Sequence, residues 1–189
     1  MPEFEPTMPA AILHTLAKLG ASANGAIPFL VEEYTNETNA FRYVAAVVRN
    51  QIDDATSTVL PILFDGLRKP DFATRFIIAD ALCRMNSAAL PGIVETLKDG
   101  DARIRRKLTR ALPKMTLQAT AIVELLEQQL DDSNIEVRLA AIDALAEMGP
   151  SAAGAVSKLA GLRNDPESMI RLRSAETLKR IQIHAPGKR

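Results

Sequence analysis

The side chains that could carry acid–base or metal chemistry are few and lie far apart along the chain. The two histidines, His14 and His184, stand near opposite ends of the 189 residues, and Cys83 is the single cysteine. A proton relay or a zinc site needs such groups close together. The sequence therefore predicts no catalytic residue, no metal site and no cofactor, and Cys83 is interpreted as a small core side chain.

The paired carboxylates of the sequence do not indicate catalysis either. They occur at Glu32-Glu33, Asp53-Asp54 and Asp131-Asp132, where turns or helix ends are expected and acidic residues commonly stay solvated or cap a helix. The chain has neither the G-x-x-x-x-G-K-[ST] loop that holds phosphates nor the G-x-S-x-G turn that carries a nucleophilic serine. These absences predict a protein that is not an enzyme.

The bulk composition is typical of an ordinary globular protein with an uneven distribution of charge. The chain is 47% hydrophobic and 24% charged, with a formal net charge of zero. Residues 1–67 hold three Lys or Arg against eight Asp or Glu, whereas residues 68–189 hold twenty against fifteen. No apolar run reaches the roughly 20 residues of a membrane span, and Glu3 and Glu5 stand where a signal peptide would be basic. We expect a cytoplasmic protein without a membrane segment.

One helical pattern occurs five times along the chain, and an arginine stands at the same position in each copy. The spacings are 33, 30, 33 and 33 residues, and the arginines are Arg42, Arg75, Arg105, Arg138 and Arg171. Small or apolar residues recur at −1, +3, +4, +7 and +10 from each arginine, which traces one stripe of an α-helix. Arg49 is an exception at +7, where the other repeats have leucine. The pattern predicts the second helix of each repeat.

An apolar segment precedes each of these helices, so every repeat is expected to be an antiparallel helix pair. Three prolines stand 14 residues before an arginine and are expected in the first turn of the preceding helix: Pro28, Pro61 and Pro91. Two glycines are expected just past helix ends: Gly20 and Gly149. Three aspartates are expected at helix N-caps: Asp71, Asp101 and Asp165.

These signals predict a single all-α domain over residues 1–189, with about eleven helices. A lone capping helix at 8–20 precedes five helix pairs, which are placed at 23–52, 55–86, 87–115, 116–149 and 151–183, and residues 184–189 form a tail. The alternative is that the chain is an excerpt of a longer array, cut at a repeat boundary.

The repeated unit resembles the HEAT repeat, in the short bacterial form also called the phycobilisome-lyase HEAT-like repeat. That pattern is A-x-P-x-L-x-x-L-x-D, a turn, and V-R-x-x-A-x-x-A-L-x-x-I-G, and the segment "AIVELLEQQLDDSNIEVRLAAIDALAEMG" fits it well. The resemblance is clearest from Ala73 onward and weakest in the first full repeat. It implies a right-handed α-solenoid, a superhelix of the HEAT-like or armadillo type.

In the HEAT family, the aspartate of the turn and the arginine of the second helix commonly form a ladder within or between repeats. The resemblance assigns seven residues to such a structural ladder: Arg42, Arg75, Asp99, Arg105, Asp132, Arg138 and Arg171. Three other residues, Asn36, Lys69 and Asn164, stand where aspartate is expected, so the ladder should be incomplete.

In a stack of helix pairs the second helices line a concave face, where residues at +1, +5, +8 and +9 from each arginine should point outward. We predict a partner-binding face made mainly of these residues: Tyr43, Val47, Phe76, Asp80, Arg106, Arg110, Lys114, Leu139, Asp143, Leu172 and Glu176. The alternative is that the +1 residues lie between neighbouring helices and complete the core.

The segment from Lys98 to Lys114 has seven Lys or Arg against Asp99 and Asp101. Arg106, Arg110 and Lys114 fall four residues apart, on one side of a helix. This basic segment is either a solvated surface or a site for an acidic or phosphate-bearing partner.

We expect a non-catalytic scaffold or adaptor, a monomer that binds a peptide or helix of another protein in its concave groove. One alternative is a helper in cofactor attachment or protein maturation, since the resemblance includes phycobilin lyases and so leaves lyase-like activity open. Another is binding of nucleic acid or a phosphate-bearing partner through Lys98–Lys114, which the lack of tryptophan and the zero net charge disfavour.

Overall fold

Helices are the only extended regular elements in the part of the chain that the structure describes. The computed structural model describes residues 9–39, 41–69, 72–115 and 118–183. The α-helices are α1 (Pro9–Leu19), α2 (Ile27–Thr35), α3 (Arg42–Asp53), α4 (Thr56–Leu67), α5 (Phe72–Arg84), α6 (Leu90–Asp99), α7 (Ala102–Ala111), α8 (Ala119–Gln129), α9 (Ile135–Met148), α10 (Val156–Gly161) and α11 (Ser168–Ile183). Short 3₁₀ segments lie at Gly20–Ala26, Asn86–Ala88, Leu112–Lys114, Gly149–Ala155 and Leu162–Asn164. The predicted all-α fold class is confirmed.

Some predicted features lie outside the described residues. These are the N-cap at Asp71, the histidine His184 and the tail at 184–189. The chain divides into two compact units, Met1–Leu82 (unit 1) and Cys83–Arg189 (unit 2), which are described separately. A single domain over residues 1–189 stays a prediction.

In unit 1, helix α3 is the central element. Helices α1, α2 and α4 all pack against it, and so does the 3₁₀ segment Gly20–Ala26. The helix has apolar residues on several sides, and four consecutive residues, Ala45 to Val48, are buried. The exception in the repeat pattern, Arg49, is also largely buried, and its guanidinium pairs with Asp53 one turn later in the same helix. This local pairing lets α3 accommodate a charge where the other repeats have leucine.

In unit 2, the helices form two layers. The second helices α7, α9 and α11 lie side by side, with α7 against α9 and α9 against α11. The first helices α6, α8 and α10 each pack on the second helix of their own repeat, and α8 also contacts the 3₁₀ segment that precedes α10. Two layers of paired helices, each pair contacting its neighbours, are the expected arrangement of an α-solenoid.

The predicted apolar stripe forms the core of unit 2. At −1, Ile104, Val137 and Ile170 are buried, and at +7 Leu112 and Leu145 are fully buried. Burying a side chain of this size contributes about 1.5–3 kcal/mol relative to leaving it exposed. The stripe therefore fixes which side of each second helix faces the first-helix layer.

The predicted helix ends at Asp101, Gly20 and Gly149 agree with the structure, whereas Asp165 is not an N-cap, because α11 begins three residues later at Ser168. The Oδ1 atom of Asp101 accepts a hydrogen bond from the backbone N–H of Ile104 at 2.9 Å, which confirms the cap of α7. Gly20 and Gly149 have φ of +51° and +56°, a region that favours glycine.

The proline prediction holds for α2 and α6 but is wrong for α4. Pro28 and Pro91 lie in the first turn of their helices, whereas Pro61 lies inside α4. The left-handed residue Asp54 ends α3, and its side chain accepts a hydrogen bond from Thr56, the first residue of α4. The helix therefore begins earlier than the proline indicates, and it lacks one backbone hydrogen bond at Pro61.

A close approach of α4 to its neighbours in unit 1 depends on Gly66. A Cβ atom at this position would lie 2.4 Å from Cδ1 of Ile78 and 2.6 Å from Cδ1 of Tyr43. Ile78 is fully buried, and the hydroxyl of Tyr43 donates a hydrogen bond to Asp65 at 2.9 Å. Neither side chain can move away freely, so the packing of α3, α4 and α5 requires glycine here.

We therefore predict that Gly66→Ala lowers the free energy of unfolding by about 1–3 kcal/mol, the usual cost of overfilling a packed core. Urea titration followed by circular dichroism measures it. Gly161→Ala is the matched control, because nothing lies within 4 Å of its Cβ position and alanine favours a helix. Equal stability of Gly66→Ala and the wild type would contradict the close packing.

Candidate functional site

The repeated arginines of unit 2 bind the turn that precedes their own helix. The Nη1 atom of Arg105 donates to the carbonyl of Gly100 at 2.7 Å. Arg138 donates in the same way to the carbonyl of Asp132 at 2.9 Å, and Arg171 to that of Asp165 at 2.7 Å. Each guanidinium thereby satisfies a backbone acceptor between the two helices of its repeat.

Two of these arginines also bind a carboxylate of the following repeat. Arg105 makes a bidentate contact with Asp132, with Nε–Oδ2 and Nη2–Oδ1 distances of 2.6 and 2.8 Å. The Nε atom of Arg138 lies 3.3 Å from Oδ2 of Asp165. The carboxylate contacts therefore run between repeats, and the contacts within a repeat go to backbone carbonyls.

Two assignments at the level of single residues change. The residue six before Arg171 is Asp165, so Asp165 and not Asn164 takes the aspartate position of the last repeat. Asp99 is exposed at the end of α6, while the carboxylate that binds Arg105 belongs to Asp132. The sequence pattern indicated that arginine and aspartate form the contacts. It could not indicate that the aspartate that binds each arginine belongs to the following repeat, because the spacing was counted within one repeat.

In unit 1 the same pattern is weaker. The Nε atom of Arg75 donates to the carbonyl of Lys69, which matches the backbone contact of the later repeats. Arg42 instead lies 3.8 Å from the exposed carboxylate of Glu37, with its guanidinium 5.9 Å from the centre of the Tyr43 ring.

The pair of Arg105 and Asp132 is well shielded from water. Their side chains are 17% and 8% exposed. Burial alone would raise the pKa of Asp132, but the hydrogen bonds from Arg105 and from the backbone N–H of Asn134 outweigh it, and the pKa falls below its ordinary value. The hydrogen bond to Asp132 likewise raises the pKa of Arg105. The pair is therefore held in its charged form at neutral pH.

The predicted binding residues of unit 1 differ in their accessibility. Phe76 on α5 is 54% exposed, and Asp80 one turn later is half-buried. Tyr43 is half-buried against Asp65, and burial together with this hydrogen bond raises the pKa of its hydroxyl. Val47 departs from the expected outward position: it is buried, because four elements surround α3.

In unit 2, the basic residues of α7 face acidic residues of α9. Arg106 lies 3.0 Å from the carboxylate of Glu136, and Arg110 lies 4.0 Å from that of Asp143. Lys114 is exposed at the end of the 3₁₀ segment that follows α7. These contacts compensate part of the positive charge of Lys98–Lys114, which the sequence alone left without visible partners.

The outward side of α11 combines apolar and charged residues. Leu172 is 55% exposed, and Glu176 follows one turn later. Met169 is also exposed and lies one turn before Leu172 on the same side of the helix. The sequence analysis did not select Met169, although its spacing of three residues from Leu172 is a usable signal. On α9, the corresponding Leu139 is half-buried.

A groove separates α9 from α11 on this side of unit 2. Its volume is about 350 Å³, and we call it the α9–α11 groove; its lining residues are Asp143, Ala146, Glu147, Arg173, Glu176, Thr177 and Arg180. Two of the predicted binding residues, Asp143 on α9 and Glu176 on α11, therefore line the same groove. Their role in binding a partner stays a prediction.

The described residues hold no cluster of three or more histidine, cysteine, aspartate or glutamate side chains that could bind a metal ion. Within the same residues, no helix combines the length and the apolar character needed to cross a bilayer.

The identity of the repeat follows from a comparison of the C-terminal segment with known families. A family model for HEAT repeats matches residues 123–186, which include most of α8 and all of α9, α10 and α11. The chain contains HEAT repeats. The arginines at 138 and 171 of this HEAT-repeat protein lie within the matched segment, and both bind the turn of their own repeat.

Two solved structures are similar to the HEAT-repeat protein over most of its length. One is the crystal structure of an engineered protein, a Northeast Structural Genomics Consortium target, with a TM-score of 0.52, 22% identity, and coverage of 93% of this chain and 90% of that chain. The other is the crystal structure of Cex1p, with a TM-score of 0.53, 16% identity, and coverage of 92% of this chain. The HEAT-repeat protein spans 42% of the Cex1p chain. At these identities the likeness shows the fold alone.

No curated protein matches the sequence of the HEAT-repeat protein.

The shielded ion pair predicts the effect of Asp132→Asn. Removing the charged acceptor should lower the free energy of unfolding at pH 7 by about 1.5–3 kcal/mol. Because folding lowers the pKa of Asp132, its contribution is complete above the unfolded-state value of about 3.9 and is lost as the pH falls through the folded-state value. Wild type should thus lose more stability than Asp132→Asn on acidification from pH 7 to pH 3.

Urea titrations of both proteins at the two pH values check this. The matched control is Asp99→Asn, an exposed aspartate in the turn of the preceding repeat, for which we expect wild-type stability. If Asp132→Asn and Asp99→Asn lowered the free energy of unfolding equally, the contact between repeats would not be the source of the effect.

Proposed function

We propose that this HEAT-repeat protein is a non-catalytic scaffold that binds another protein through the outward side of its second helices. The observation that carries the proposal is the exposure of large apolar side chains there. Phe76 on α5 and Leu172 on α11 are each more than half exposed, although both helices bury apolar side chains elsewhere. Leaving such area in water forgoes the free energy that burial against a partner would provide.

Single exposed apolar residues are common on protein surfaces, but here each has an apolar neighbour. Ile77 is exposed next to Phe76, and Met169 is exposed one turn before Leu172. Two adjacent apolar side chains make a small patch, and such patches with polar surroundings favour protein binding. The two patches belong to different units and are treated as two independent candidate contact sites.

The residues that recur in every repeat also support a scaffold. Arg105 and Arg138 are occupied by structural contacts with backbone carbonyls and carboxylates, so they are not free to act on a substrate. HEAT repeats in general serve as interaction scaffolds.

The described contacts give little support to the phosphate-binding alternative. A nucleic-acid site needs several uncompensated cationic side chains on one surface. Arg106 and Arg110 lie close to acidic residues of α9, and Arg105 is bound to Asp132. The alternative of a helper in cofactor attachment depends on the family resemblance alone.

The test is the capture of partners from a lysate of the source cells by the immobilised protein. We expect the capture of at least one protein to fall about tenfold or more with Leu172→Ala or with Phe76→Ala, since truncating a hot-spot residue of an interface costs about 2 kcal/mol or more. The control is Leu19→Ala, which removes an equally exposed leucine from α1. If no captured protein distinguishes the two anchor variants from the control, the proposed surface is wrong.

A further inference from the structure

Helix α9 forms one wall of the α9–α11 groove, and two carboxylates lie on that side of the helix. Asp143 and Glu147 are four residues apart on α9, so they lie one turn from each other and both line the groove. Like charges at this spacing repel by a few tenths of a kcal/mol. A cation bound between them would remove that repulsion.

The carboxylates of the groove are only loosely paired within the protein. Asp143 lies 4.0 Å from Arg110, and Glu176 lies 3.9 Å from Arg173. These side chains are about half exposed, and exposed pairs of this kind contribute between zero and about 1 kcal/mol. The shielded pair of Arg105 and Asp132, at 2.6 Å, is a clear contrast. The groove pairs can therefore open and exchange partners at little cost.

On each of the two helices, an apolar residue precedes a carboxylate of the groove by one helical turn. Leu172 precedes Glu176 by four residues on α11, and Leu139 precedes Asp143 by four residues on α9. Each apolar residue therefore lies about 6 Å along its helix from an acidic one, at 1.5 Å per residue. A partner segment that matches both the apolar residues and the carboxylates carries apolar and cationic side chains about one helical turn apart.

The lining of the groove favours a polypeptide over a small molecule. Pockets for small molecules are mostly apolar, whereas five of the seven residues that line this groove are charged. A volume of about 350 Å³ open along two helices suits side chains that project from a partner helix.

Resting on the proposed function, we propose that the α9–α11 groove binds an amphipathic helix of a partner protein whose lysine or arginine side chains bind Asp143 and Glu147 and whose apolar side chains pack on Leu172. The α9 wall is lined by the carboxylates of Asp143 and Glu147, whereas the α11 wall carries Arg173 and Arg180 beside Glu176, so the cationic side chains of the partner lie on the α9 side.

The test uses a fluorescent helical peptide of leucine and lysine in amphipathic order, titrated with the full chain at low salt and followed by anisotropy. The comparison probe is the same peptide with glutamate in place of lysine. We expect the lysine peptide to bind at least about tenfold more tightly than the glutamate peptide, and its affinity to fall as salt is added.

The double variant Asp143→Asn, Glu147→Gln should weaken the lysine peptide about tenfold, as should Leu172→Ala. The matched control is Glu124→Gln, Glu127→Gln, which removes two carboxylates from a separate groove between α8 and α10 and changes the net charge by the same amount. We expect it to bind as the wild type does. Equal weakening in both double variants, or equal binding of both peptides, would overturn the proposal.

Failure of this inference differs from failure of the proposed function. If natural partners require Leu172 or Phe76 but the lysine peptide ignores Asp143 and Glu147, the scaffold function stands and the assignment of the groove is wrong. If the peptide behaves as expected but no natural partner depends on Leu172 or Phe76, the groove stands and the proposed function is wrong.

Discussion

The two-layer arrangement of unit 2 depends on one arginine side chain per repeat, whose guanidinium group joins neighbouring elements. The turn between the helices of a repeat leaves backbone carbonyls without a helical partner, and Arg105 and Arg138 each bind one of them. The same groups reach the carboxylates of Asp132 and Asp165 in the next turn. Because a guanidinium has five donors in a fixed plane, it holds both acceptors at once and fixes the offset between neighbouring repeats.

This constraint separates the residues that build the scaffold from those that can select a partner. In unit 2 the repeated arginines bind the turns and the residues of the apolar stripe at −1 are buried, so these side chains are occupied within the fold. The outward residues differ, from Phe76 in unit 1 to Arg106 on α7 and Leu172 on α11. Phe76 and Leu172 are more than half exposed, so a solenoid of this kind can vary such residues, and with them its partner, while it keeps its core.

The sequence predicted the fold well because its signals are local. A stripe of period 3.6 and the cap at Asp101 involve residues within one helix or turn. The candidate site was harder to predict because the accessibility of a side chain depends on which helices pack beside it. A local sequence pattern does not contain that information. Val47 is buried since four elements surround α3, and Arg110 approaches an acidic residue 33 positions further along the chain. The groove beside Asp143 likewise exists only because α9 and α11 lie side by side.

The central claim is that the repeated arginine acts as a structural link between repeats. A double-mutant cycle on Arg138→Gln and Asp165→Asn tests it most directly, with free energies of unfolding from urea titration. The asparagine keeps an acceptor for the backbone N–H of Glu167, which Asp165 binds at 2.9 Å, so the cycle isolates the pair. We expect a favourable coupling of about 0.5–3 kcal/mol between the two side chains. Additive effects of the two substitutions would contradict the claim.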